Sequence, residues 1–224
     1  MRFAVLSDIH SNLPALEAVR AALPAVDGII CCGDITGYYC HPNEVCAILR
    51  EMNVRTIRGN HDTCITGLAD AGINSEAYRT EWTRHTLLKD HFDWLAALPP
   101  ELTFTAPDGL TIRVRHASPW DEITYLYPDS HRLNEVVLGK DEWLLCGHTH
   151  RPLFHRTAAG GVIANPGAVG QPRDRDPRAS WAMLDTVART FEVHRTEYPV
   201  AALQRHLESL HWPRNVIDIL SRTS

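Results

Sequence analysis

The sequence runs to 224 residues, 44% of them hydrophobic and 22% charged, which is ample for a full core and ordinary for a globular protein. A net charge of −5, with the acidic excess confined to residues 1–150, excludes a basic duplex-binding surface. No run approaches the eighteen or so apolar residues that a bilayer span needs. Cysteines at 31, 32, 40, 46, 64 and 146 form no C-x-x-C pair and are too sparse for a secreted disulfide scaffold, so they read as reduced thiols, mostly buried. Asp8 interrupts the apolar N-terminus, with no small-residue cleavage pattern behind it. A cytoplasmic location and a single domain over residues 1–224 are the expectations, although the length also permits two small domains.

Phe3 to Leu6 reads as a strand, and Leu13, Leu16, Val19 and Leu23 follow at helical spacing. The next apolar run ends at Gly33; Pro42 is placed to open a helix ending near Met52, and Val54 to Ile57 make a third strand. Such alternation predicts a largely parallel sheet with helices packed on it. From Asn60 to Leu98 the pattern is helical, with Tyr78, Trp82, Leu88, Phe92 and Leu95 facing inward as core, until Pro99 and Pro100 end it. From Leu102 onward the strands come in shorter pieces, joined by turns at Asp108-Gly109 and Gly160-Gly161 and including Thr111 to Val114, Trp143 to Cys146, Val162 to Ala164, Trp181 to Leu184 and Phe191 to Val193. They read as a second, partly antiparallel sheet. Helical stretches Val200 to Leu210 and Arg214 to Leu220 close the chain. The fold class is α/β, two stacked mixed sheets flanked by helices in a four-layer α-β-β-α sandwich.

The chemistry lies where strands end. Asp8 and His10 follow the first strand, Asp34 the second, Asn60 and His61 the third, His116 the run ending at Val114, and His148 and His150 the run ending at Cys146. Ligands in open α/β sheets bind beyond the carboxyl ends of strands, so these residues should converge on one edge. Carboxylate, imidazole and amide donors without a thiolate favour manganese, iron or zinc, and several imidazoles argue against magnesium or calcium alone. Glycines at 33, 37, 59 and 147 let the backbone turn sharply beside them. Histidines 41, 85, 91, 131, 155, 194, 206 and 211 have no such placement and read as surface or satisfied core groups.

Asp8-Ile9-His10, Gly33-Asp34-Ile35-Thr36-Gly37, Gly59-Asn60-His61-Asp62, His116 and Gly147-His148-Thr149-His150 resemble, in order, the five blocks of the calcineurin-like metallophosphoesterase superfamily. Tyr38 to Glu44, His116 to Pro119 and Asn165 to Arg173 are similar to its small bacterial branch related to diadenosine tetraphosphatases. The resemblance implies one divalent cation held by Asp8, His10, Asp34 and His150, and another by Asp34, Asn60, His116 and His148, with manganese first in expectation and iron or zinc next. Asp34 would bridge, because two cations about 3.5–4 Å apart repel and need a shared anion; together they acidify a bridging water to hydroxide, which attacks phosphorus in line. His61 would donate to the leaving group or a phosphoryl oxygen.

Two positions depart from the pattern. Protein serine/threonine phosphatases carry an aspartate where this chain has Gly37, which leaves the orientation of His61 without its usual carboxylate. Ala117 stands where glycine is common and is expected to narrow the pocket slightly. Arg173, Arg175 and Arg178 alternate with Asp174 and Asp176; either one arginine, Arg173 foremost, clamps a phosphate, or the loop is solvated and self-paired. The expected function is hydrolysis of a small phosphomonoester or phosphodiester. Dinucleoside polyphosphate hydrolysis is the near alternative, and a non-catalytic metal-binding scaffold the alternative from another class. A small phosphorylated substrate is the expected partner, with no stable nucleic-acid complex and no membrane; the oligomeric state leaves no mark in the sequence.

Overall fold

The computed structural model describes residues 1–69 and 75–223. Strand β1 (Arg2–Leu6) leads to helix α1 (Leu13–Ala22). Asn12 starts that helix: its side-chain oxygen accepts from the Ala15 N–H at 3.1 Å, and Pro14 occupies the first turn, where a missing donor costs nothing. Strand β2 (Gly28–Cys31), helix α2 (Pro42–Glu51) and strand β3 (Arg55–Thr56) follow. The third strand is thus shorter than expected, and the second stops two residues before Gly33, because the chain leaves the sheet there to form the site. Helices α3 (Asn60–Thr66), α4 (Ser75–Tyr78), α5 (Thr80–Thr86) and α6 (Lys89–Ala97) make up the expected helical region, of which residues 70–74 lie outside the described ones.

Next come β4 (Glu101–Thr105), β5 (Thr111–Arg115), β6 (Glu142–Leu145), β7 (Pro152–Arg156) and β8 (Val162–Pro166), then β9 (Ala179–Asp185) and β10 (Thr190–Thr196). Helices α7 (Val200–Ser209) and α8 (Arg214–Asp218) end the chain, followed by a 3-10 turn at Ile219–Ser221. One five-stranded sheet has the order β10-β9-β1-β2-β3 and the other β4-β5-β6-β8-β7. The last two strands therefore return to the first sheet instead of extending the second. Strand β9 pairs antiparallel with β1, Phe3 opposite Leu184 and Val5 opposite Ala182. It is apolar on both faces, as a strand covered on both sides must be.

Alternation sorts the side chains into two interiors. Phe3, Val5, Ile30, Ile112, Val114, Trp143 and Leu184 fill the space between the sheets. Leu6, Cys31, Trp181 and Met183 point the other way, onto Leu16 and Val19 of α1, Val45 and Leu49 of α2, and Leu95 of α6. Cys31 and Cys32 thus belong to opposite cores, as their adjacency predicts. Outside the second sheet, Leu144 and Ile163 are covered by Leu126, Leu133, Val136 and Leu138. That fourth layer is a loop carrying a 3-10 helix, His131–Glu135, in place of an α-helix.

Leu88 is the exception among the predicted inward residues. It stands 60% exposed, because it is the N-cap of α6, with ψ 143° turning it out of the helix before the apolar face begins. Among the described residues no helix is long and apolar enough to cross a membrane.

Candidate metal centre

Parallel pairing of β1 with β2, and of β5 with β6, puts the carboxyl ends of these strands side by side. The loops leaving them are laced together: the Asp8 N–H donates to the Gly33 carbonyl at 3.0 Å, His10 N–H to Asp34 at 3.0 Å, and Gly147 N–H to His116 at 2.8 Å. Asp8, His10, Asp34, His148 and His150 all take positive φ, between 51° and 66°. A non-glycine residue held there costs on the order of 1–3 kcal/mol and persists only where the surroundings impose it. Five such residues in one cluster mark a functional edge.

Two groups of donors meet there. Asp8, His10, Asp34 and His150 form one, and Asp34, His116 and His148 the other, the ligand atoms of each lying within 4.8 Å of one another and all buried. Asp34 belongs to both. Its Oδ1 accepts the His61 backbone N–H at 2.9 Å, which leaves Oδ2 3.2 Å from His116 Nε2 and 3.7 Å from His10 Nε2. Asn60 joins the second group through Oδ1, 2.9 Å from His148 Nδ1. Gly59 is required beside it, since a Cβ at that position would overlap the Asp34 carboxylate.

Each of the four imidazoles is fixed by a backbone carbonyl. His10 Nδ1 donates to Thr36 at 3.1 Å, His116 Nδ1 to Cys32 at 2.8 Å, His150 Nδ1 to Gln171 at 2.6 Å, and His148 Nε2 to Ile123 at 3.1 Å. At His10, His148 and His150 the other ring nitrogen is thereby turned inward as a lone pair, which is how metal-binding imidazoles are oriented. The consequence is sharp at His10 and His150, whose Nε2 atoms face each other at 3.1 Å. Two lone pairs at that distance repel unless a proton or a cation lies against them. His116 Nε2 is also buried and faces Asp34 Oδ2 at 3.2 Å.

Electrostatics agree. Burial pushes the His10 and His150 rings well below the usual imidazole range and takes His148 to about 3 and His61 to about 4, so all four are neutral at pH 7. Burial also pushes Asp8 up to about 7. Although burial opposes charge on His116 and Asp34 as well, each is the other's counter-ion: the imidazole rises to about 10 and the carboxyl falls well below its usual range. A cation at that point does for Asp34 what the shared proton does without it. Oxygen and neutral nitrogen donors, desolvated and short of positive charge, fit divalent transition-metal ions.

A family model described as "Calcineurin-like phosphoesterase superfamily domain" matches residues 1–189. The chain belongs to the calcineurin-like phosphoesterase superfamily. An uncharacterized protein of Methanocaldococcus jannaschii is 31% identical over 221 residues, covering 88% of each chain. The crystal structure of a metallophosphoesterase from Sphaerobacter thermophilus superposes with a TM-score of 0.84 at 31% identity, covering 100% of this chain and 99% of that one. A hypothetical protein from Pyrococcus horikoshii shares the fold with the same TM-score, at 24% identity and coverage of 100% and 98%.

In this calcineurin-like chain the donors lie at the bottom of a cleft of about 460 Å³, with Asp34, Asn60, His61, His148, His150 and Arg173 on its surface. Tyr38, Tyr78 and Tyr125 wall it. Tyr78, which packs against the core cluster of Tyr39, Leu203 and Trp212 as expected, also borders the site, and Tyr125 stacks on His148 at 4.0 Å between centroids. Nothing in the sequence separated these aromatics from core ones. Ala117 is buried and takes no part in the lining.

The charged loop sorts itself by sign. Arg173 enters the cleft, donating through Nη2 to Tyr38 Oη at 2.7 Å and to Gln171 Oε1 at 2.8 Å. Arg178 pairs with Asp176 at 2.7 Å, and Asp174 pairs with Arg195. Arg173 thus faces the cleft, while Asp174, Asp176 and Arg178 are taken up in ion pairs. Asp62 is a site residue to which the sequence assigned no role: its carboxylate accepts from the N–H groups of Ile35, Thr36 and Gly59 at 3.0–3.1 Å and from the Thr36 hydroxyl at 2.8 Å, tying two ligand loops together. The signal available was its N3 position in α3.

A further donor group, Cys40, His41 and His206, lies outside the cleft. Cys40 Sγ stands 3.4 Å from His41 Nδ1 and 3.8 Å from Nε2. A thiol almost equidistant from both nitrogens faces the ring and flanks neither lone pair.

Proposed function

We propose that this chain hydrolyses a small phosphomonoester or phosphodiester with the help of two divalent transition-metal ions, manganese foremost and iron or zinc next. The observation that carries the reading is Asp34: one oxygen is pinned by the His61 N–H, and the other is presented to both donor groups at the foot of the cleft. Asp8, His10, Asp34 and His150 would hold one ion, and Asp34, Asn60, His116 and His148 the other. When bound, such ions polarise a phosphoryl oxygen and bring the pKa of a water near neutrality.

The chain's own groups then divide the remaining work. His61 forms part of the cleft surface and offers a ring N–H to the leaving oxygen or a phosphoryl oxygen. Arg173 is held by Tyr38 and Gln171 through Nε and Nη2 and keeps Nη1, which makes neither bond, for the phosphoryl group. Tyr125 and Tyr78 exclude water from the flanks and suit an apolar or planar leaving group.

The test is chelation followed by reloading with manganese, with turnover of p-nitrophenyl phosphate, bis-p-nitrophenyl phosphate and diadenosine tetraphosphate measured in parallel. Manganese-dependent release of product from either nitrophenyl ester is the expected result. Preference for the dinucleotide would select the polyphosphate alternative. Two bound ions with no turnover of any of the three would leave the scaffold reading.

A further inference from the structure

The proposed ligands take nothing from the segment Tyr38 to Glu44, yet Tyr38 lies on the cleft surface with Arg173 and His61. Its backbone has φ 55°, a left-handed conformation that a bulky side chain keeps only where the surroundings impose it. They do so from two sides: the Tyr38 N–H donates to the Tyr78 carbonyl at 3.0 Å, and the Tyr38 carbonyl accepts the Trp212 indole N–H at 2.6 Å. Trp212 is seated in turn among Leu203, Leu207 and Val216 of the closing helices. The Tyr38 ring meets His10 edge-on at 4.6 Å between centroids, and His61 and Tyr78 at 4.9 Å. Phenylalanine would satisfy every one of these contacts.

The hydroxyl is what they leave over. Tyr38 Oη accepts from Arg173 Nη2 at 2.7 Å. A guanidinium has no lone pair to offer in return, so the direction is fixed and the phenol's own proton takes no part in the bond. Among the described residues that proton meets no acceptor, and a phenol, whose ordinary pKa is about 10, keeps it at neutral pH. The neighbouring tyrosine shows the contrast. Tyr39 Oη accepts from Gln171 Nε2 at 3.0 Å and donates to the Val216 carbonyl at 3.4 Å, so both of its roles are filled. At Tyr38 one role is filled, by a cation, and the other is open on the cleft. With only 6% of the residue exposed, bulk water is a poor alternative partner, and an oxygen that already faces a guanidinium makes its proton a better donor to an anion.

We infer that Tyr38 donates its O–H to a non-bridging oxygen of the bound phosphoryl group, alongside Nη1 of Arg173, and is thus a substrate-binding residue of the cleft. The inference rests on the cleft's being the active site, as proposed above. Tyr38 then has two tasks that a phenylalanine lacks: it tethers the arginine, and it supplies a donor of its own.

The experiment measures binding of inorganic phosphate to the manganese-loaded protein by calorimetry in wild type, Tyr38→Phe, Arg173→Ala and the double variant, with manganese content followed by mass spectrometry. Tyr38→Phe keeps the ring and its packing, so manganese content should stay at the wild-type level while Kd for phosphate rises about tenfold, the worth of one hydrogen bond to a charged group. The double-mutant cycle separates donation from tethering. If Tyr38 donates directly, its replacement still weakens binding at least about threefold when Arg173 is already alanine, as a hydrogen bond made independently of that residue requires. A smaller loss there would mean that Tyr38 acts only by holding Arg173, and would overturn the inference. Wild-type protein that binds no phosphate, a Tyr38→Phe variant that binds it unchanged, or loss of manganese from that variant would do the same. Binding is read without turnover, so a protein that shows these losses yet hydrolyses none of the three test substrates refutes the proposed activity and leaves Tyr38 as the donor.

Discussion

A Cβ on residue 37 would stand 2.8 Å from Nδ1 of His61. Gly37 also has φ 93°, a conformation that other residues adopt only with strain. The position where protein phosphatases place a carboxylate is here filled by the imidazole itself, packed directly against backbone. The ring is oriented by its neighbours: His10, Tyr38 and Tyr78 surround it with centroids 4.8, 4.9 and 5.0 Å away. Gly37→Asp should therefore not restore a phosphatase-like pair but push His61 off its position. Turnover of bis-p-nitrophenyl phosphate is expected to fall about 10²-fold, the usual effect of a misplacement near 1 Å. Metal content by mass spectrometry should stay at the wild-type level. A faster variant would mean that the aspartate finds the ring without displacing it.

His61→Gln probes the same group from the other side. The amide keeps the backbone N–H that pins Asp34, since only the side chain changes. Metal stoichiometry is then retained while kcat drops by roughly 10²–10⁴, the range for a positioned proton donor. Loss of metal together with rate would show that the ring supports the ligands and does not act on substrate.

Asp34→Asn removes the charge that both donor groups share. Wild-type protein should gain thermal stability with added manganese, by about 2.7 kcal/mol at a hundredfold excess over Kd. For the variant, the gain should largely vanish, with no more than one ion retained per chain. A melting curve that responds to manganese equally in both proteins would remove Asp34 from the bridging position.

Much of this site was legible because its side chains interrupt apolar strands: Asp8, Asp34, His116, His148 and His150 stand out against the runs before them. Other features carry no such signal. Carbonyls at Cys32, Thr36, Ile123 and Gln171 that fix the imidazoles are backbone atoms, identical in every residue. Tyr38 and Tyr125 wall a cleft with the same chemistry that would fill a core. Strand β9 reads equally well in either sheet, because both of its faces are apolar; only its pairing with β1 decides. The bounds of β4 and β7 carry little signal, since both strands lie at sheet edges and carry polar or exposed residues such as Glu101, Thr105, Phe154 and Arg156.

Outside the cleft, Asp176 offers a pH test. Its hydrogen bonds to Arg178 bring the carboxyl down to about 2. A depressed folded-state pKa contributes stability above the unfolded value near 4, and that contribution is lost as pH falls toward 2. The pair is partly exposed, so solvent screening limits its worth to under about 1 kcal/mol. Asp176→Asn should therefore be slightly less stable than wild type to urea at pH 7, and the gap should narrow by pH 3. A gap that widens in acid would reverse the sign and dissolve the pairing.

Asp62→Ala should damage the fold more than any of these. The carboxylate is fully buried, and removing it leaves the N–H groups of Ile35, Thr36 and Gly59 and the Thr36 hydroxyl without their acceptor. Each buried donor so orphaned costs about 1–3 kcal/mol, so a total of at least roughly 3 kcal/mol is expected. For a chain of this length that corresponds to a fall in Tm of roughly 6–12 °C. The loosened loops carry Asp34 and Asn60, so manganese affinity should fall with stability, although Asp62 itself is no ligand in the proposed centre. Asp62→Ala with unaltered Tm would mean that water replaces the carboxylate and that the loops hold their shape through β1 and β2 alone.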